Sequence, residues 1–150
     1  MLDQVEHVNW DALAQAKAEL GAAFPRILGY FKDDGEASVT AIETAFRARD
    51  AVALVAPAHR LKGEAAQFAA YRLSAMAEEI EIVARRCVEF HECPEELIEI
   101  VVALRPCFVE SLFVLNRAAE PAAAVAPVRR PAPFTRRVDS GPPRFGRATS

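Results

Sequence analysis

Apolar residues recur at three- and four-residue steps through most of the first 118 positions, the period of helices that bury one side. Leu54, Ala58, Leu61, Ala65 and Phe68 form one such stripe, with Asp50 placed to cap its helix. Before it, Asn9 can cap a helix from Trp10 to about Leu20, whose narrow face is Trp10, Leu13, Ala14, Lys17 and Leu20, and Gly21 ends or bends it. Phe24, Ile27, Leu28, Phe31, Val39, Ile42 and Phe46 predict one long helix over about 22–48, with Pro25 in its first turn and an interruption allowed near Gly35. Leu73, Met76, Ala77, Ile80, Val83, Ala84 and Cys87 hold the same period to about residue 90. Pro94 then opens a last helix whose stripe is Leu97, Val101, Leu104, Phe108, Leu112 and Leu115. Pro57 and Pro106 lie within helical stretches and predict a kink or a fresh start, because each removes a backbone donor.

Four long helical segments with short joints and no alternating strand pattern predict an all-α fold, an antiparallel four-helix bundle with a short N-terminal helix. From residue 119 the composition changes to Ala, Pro and Arg. So many prolines forbid a regular helix, so 119–150 reads as an extended or disordered tail after a bundle of 1–118. Its basic character suits a docking arm with Phe134 and Phe145 as anchors, but composition favours a solvated tail.

The formal net charge is −3, which argues against general nucleic-acid binding. It is unevenly divided. Residues 1–118 carry twelve basic and nineteen acidic residues, whereas 119–150 carry six and two. No apolar run is long enough for a signal peptide or a membrane span, so a cytoplasmic location is expected. Cys87, Cys93 and Cys107 are odd in number and lack a Cys-x-x-Cys unit, which favours reduced thiols over a metal site even with His91 close by. Glu78, Glu79, Glu81, Glu89, Glu92, Glu95, Glu96 and Glu99 read as solvated helix faces, as do Arg72, Arg85 and Arg86.

Candidate chemistry centres on His59. At about 100° per residue it stands roughly 160° from Leu61, on the polar side, with Arg60 beside it, Lys62 one turn on and Gly63 at i+4. A glycine inside a helix costs roughly 1 kcal/mol relative to alanine. Here it clears space above the ring for a bulky partner, while Lys62 offers a cation to an anion carried there. Neutral imidazole is a good nucleophile near neutral pH and a good leaving group once protonated, which suits carriage of a phosphoryl group.

The run Ala58-His59-Arg60-Leu61-Lys62-Gly63, followed by Ala65-Ala66-Gln67-Phe68-Ala69-Ala70 and Arg72-Leu73-Ser74-Ala75-Met76-Ala77-Glu78-Glu79-Ile80-Glu81, resembles the signature of histidine-containing phosphotransfer (HPt) domains, over most of residues 10–118. The resemblance implies a kinked antiparallel bundle with His59 as phospho-acceptor on its second long helix, Nε2 as the attacking nitrogen, Lys62 near the phosphate, Gly63 for clearance and Gln67 to hold or orient the phosphate. It implies receiver domains of response regulators or hybrid histidine kinases as partners, with any magnesium belonging to the receiver and no cofactor of the chain's own. Glu64 departs from the family's serine or alanine and predicts weaker phosphate retention or a more basic partner. Arg60 and Glu64 are thus candidate modulators. No nucleotide-binding loop is present, so a carrier rather than a kinase is expected, with a phosphate-independent adaptor as the alternative and a monomer as the expected state.

Overall fold

The computed structural model describes residues 7–120, and every regular element among them is helical. The tail expected over 119–150 lies outside the described residues from 121 onward. Five α-helices follow in order: α1 Trp10–Leu20, α2 Phe24–Arg47, α3 Ala51–Gln67, α4 Tyr71–Phe90 and α5 Ile98–Ala119. Single 3₁₀ turns, Gly21–Ala23 and Glu95–Leu97, lead into α2 and α5.

The expected caps form. Asn9 accepts from the amide of Ala12 at 2.9 Å, and Asp50 accepts from that of Ala53 at 3.0 Å, so each satisfies a donor the first helical turn leaves free. Gly21 ends α1 at φ 58°, a conformation that glycine adopts without a Cβ penalty. Arg49, Ala69 and His91 also have positive φ, at 58°, 60° and 57°, at the ends of α2, α3 and α4.

Helices α2 to α5 form the bundle. Each packs on its neighbours in sequence, α5 closes against α2, and α3 lies diagonally across from α5. The predicted stripes meet inside: Phe31 stacks on Phe68 at 5.2 Å between ring centres and meets Phe108 edge-on at 5.9 Å, while Phe24 meets Phe68 edge-on at 5.7 Å. Helix α2 runs through Gly35 without a break. A Cβ there would stand 2.5 Å from Cε1 of Phe108, so the Phe108 ring of α5 occupies the space that this glycine leaves. Beside it Arg105 clamps the same two helices, bonding Glu36 at 2.7 Å, both carboxylate oxygens of Glu43 at 3.0 Å and Thr40 at 3.0 Å.

Pro57 and Pro106 both lie inside unbroken helices, Pro57 facing the core and Pro106 facing solvent. The stripe expected for α1 is corrected at two positions. Leu13 is buried, but Trp10 and Ala14 are exposed, because an eleven-residue helix laid on the bundle end covers little more than one side chain. The lead-in is tied down by the amide of Asn9 on the carbonyl of Ala69 at 2.9 Å, and Lys17 donates to the carbonyl of Ala118 at 2.6 Å.

Candidate functional site

His59 sits midway along α3 with its side chain 63% exposed, facing the seam with α4. Helix α3 presents it this way because Leu54, Ala58, Leu61 and Ala65 take the opposite side into the core. Across the seam stands Glu81 of α4, only 5% exposed. Its Oε2 lies 3.0 Å from Nδ1 of His59 and 2.7 Å from Nη2 of Arg85, and its Oε1 lies 2.9 Å from Nζ of Lys62. Three cationic or donor groups from two helices therefore converge on one carboxylate.

Burial alone would raise the pKa of Glu81. The hydrogen bonds from Arg85, Lys62 and His59 outweigh it and hold the group down to about 2. Glu81 is thus ionised near neutral pH and has no proton to give. Nδ1 of His59 must supply the hydrogen in the bond between them, which leaves the lone pair on Nε2. A buried carboxylate fixes the tautomer and the ring plane, and it compensates positive charge that develops on the ring.

This corrects the reading of Glu81 as a solvated helix group; Arg85, which pairs with it, is exposed as expected. The other glutamates of that set, Glu78, Glu79, Glu89, Glu92, Glu95, Glu96 and Glu99, are exposed as expected. A signal for Glu81 does exist in the sequence: it shares a stripe with Leu73, Ala77 and Ala84, where a carboxylate needs a partner. Its partner His59, however, is 22 residues away on another helix.

Among the residues expected at the site, His59 and Lys62 are brought together through Glu81. Ser74 of α4 donates to the carbonyl of Lys62 at 2.9 Å and pins this turn of α3. Gly63 is exposed, and a Cβ built on it meets no atom within 4 Å. Nothing among the described residues requires a glycine there. Arg60 is exposed one residue beyond His59. Gln67 stands at the last turn of α3, eight residues on and so about 12 Å along the axis, apart from the His59 cluster.

Glu64 turns toward α2. Burial and then the charge of Asp34 raise its pKa, with Arg60 opposing, and its Oε1 is out of water without a hydrogen-bond donor among the described residues. Its carboxylate addresses the α2 side rather than the seam where His59 meets Glu81.

An exposed imidazole held by a buried carboxylate, with an open helical glycine one turn on, thus stands on the face of a four-helix bundle. The family model described as the Hpt domain matches residues 26–107, and the chain belongs to this family. Its function is accordingly histidine phosphotransfer in phosphorelays, the family's members being phosphocarriers that work with receiver domains. The fold is similar to the crystal structure of histidine-containing phosphotransfer protein B (HptB) from Pseudomonas aeruginosa PAO1, with a TM-score of 0.66 and 23% identity over 77% of this chain and 96% of that one. No curated protein sequence matches the chain. Among the described residues no helix is long and apolar enough to cross a membrane.

Proposed function

We propose that the chain is a phosphorelay intermediate in which Nε2 of His59 accepts a phosphoryl group from the phospho-aspartate of one receiver domain and passes it to another. The observation that carries this reading is the 3.0 Å bond between Nδ1 and an ionised, buried Glu81, which leaves Nε2 as the free nucleophile on an exposed face. In the transfer, the bond from Nε2 to phosphorus forms in line as the aspartyl oxygen–phosphorus bond breaks, and the electron pair leaves with the aspartate carboxylate. No proton has to move. The imidazolium that results keeps its hydrogen on Nδ1, against Glu81, and any magnesium is held by the receiver.

Lys62 lies one turn from His59 and balances charge on the phosphoryl oxygens. Gly63 lets the receiver's backbone approach the ring, and its open surroundings favour this role over an internal packing one. Gln67 and Arg60 line the partner side of α3. Glu64, directed at α2, tunes the choice of receiver rather than repelling the phosphate.

The test is transfer from a purified receiver phosphorylated with a small phosphodonor, with the chain analysed for an acid-labile phosphate. Rapid transfer to the wild type and none to His59→Gln supports the reading. A folded wild type that binds the receiver but takes up no phosphate would instead establish the phosphate-independent adaptor.

A further inference from the structure

In place of the monomer expected from the sequence, we propose that the chain self-associates through the solvent face of α5, as an antiparallel two-fold pair that leaves both His59 faces free. Ile98, Val102, Val109 and Phe113 are each 53–68% exposed. At about 100° per residue they fall within an arc of roughly 60°, with exposed Pro106 at its edge, so they form one narrow apolar ridge along α5. Large apolar side chains scattered singly on a surface need no explanation, but a continuous ridge does.

The occupant follows from the spacing. The steps from Ile98 to Val102, Val109 and Phe113 are four, seven and four residues, a pattern that is the same in both directions. A two-fold axis near Arg105 and Pro106 therefore sets Val102 against Val109 of the second copy and Ile98 against its Phe113. That is the self-complementarity an isologous contact requires. The seven-residue step also returns each copy's ridge to the same face of its partner.

Charge selects the same orientation. Antiparallel pairing opposes the two helix dipoles, whereas parallel pairing sets like ends side by side. Arg105, which would otherwise place a cation beside the axis, is folded away onto Glu36 and Glu43.

The ridge offers on the order of 500 Å² of apolar surface per copy, which suits a weak, concentration-dependent dimer rather than an obligate one. Because α3 is diagonal to α5, the pairing leaves His59 uncovered.

Sedimentation of the full chain from low to high micromolar concentration tests this. The expected result is a mass that rises toward twice the 16.4 kDa of one chain, and a Val102→Lys, Val109→Lys double variant with unchanged helical content that associates at least tenfold more weakly. A wild type that stays at one chain mass throughout overturns the proposal, as does a double variant that associates like the wild type. Orientation is read separately in a Cys93→Ser background, which removes the exposed native thiol. Mixed Val102→Cys and Val109→Cys chains should form the 102–109 disulfide; dominance of 102–102 and 109–109 disulfides would overturn the antiparallel arrangement.

Discussion

Nδ1 of His59 lies 3.0 Å from Oε2 of Glu81, and that one bond joins the exposed face of α3 to a carboxylate buried on α4. Its consequence for reactivity is direct. Glu81→Gln keeps an acceptor for Nδ1 but removes the negative charge that stabilises the phosphorylated, cationic ring. Phosphate uptake by Glu81→Gln is expected to slow by about tenfold or more, and by a greater factor in Glu81→Ala, which also frees the ring to rotate. Rates of phosphoramidate-driven labelling, followed by intact mass, check this. Equal rates in all three proteins would remove Glu81 from the mechanism.

The same carboxylate makes stability depend on pH. Its folded-state pKa of about 2 lies below the ordinary value of 4.5, so the unfolded chain binds the proton first as pH falls. The contribution from Glu81 is therefore complete above about pH 5.5 and is lost progressively between about pH 4.5 and 2. Urea unfolding of wild type and Glu81→Gln should show a stability difference at pH 7 that shrinks through this window. A difference that is constant down to pH 3 would contradict the ionised network.

Gly63 separates folding from transfer. Since a Cβ there meets nothing, Gly63→Ala should stabilise α3 by about 0.5–1 kcal/mol. Transfer from a phosphorylated receiver should fall in the same variant, and fall further in Gly63→Gln, while labelling by the much smaller phosphoramidate is retained. Thermal unfolding and the two labelling rates together provide the check. A variant that is more stable and receives phosphate from a receiver normally would show that the clearance is not used.

Gly35 is the opposite case. Its missing Cβ is filled by Phe108 at 2.5 Å, so Gly35→Ala must displace an aromatic ring from a packed core. The expected cost is about 1–3 kcal/mol, reduced by the better helix propensity of alanine. Denaturant midpoints of the two glycine variants should move in opposite directions.

These two glycines also show how far the sequence could be read. Periodicity identified the α3 stripe, Leu54, Ala58, Leu61, Ala65 and Phe68, and all five are buried. Asn9 and Asp50 cap as their residue types predict, because a cap is a local contact over three residues. Gly35 looked like an interruption because its reason for being glycine lies on α5, 73 residues away. Glu81 was placed in water for a similar reason. It falls within a run of glutamates that reads as a solvated face, and only the packing of α3 on α4 brings His59 and Lys62 to it. The proposed nucleophile, His59, was legible because its neighbours in sequence are its neighbours on the helix, whereas the carboxylate that holds its ring arrives through the fold.

The most direct measurement is phosphorylation of the 150-residue chain by phosphoramidate, with the site mapped under conditions that preserve phosphohistidine. The account predicts a single acid-labile phosphoryl group on Nε2 of His59, absent from a folded His59→Gln. Phosphate retained in that variant, or none on a folded wild type, would contradict it.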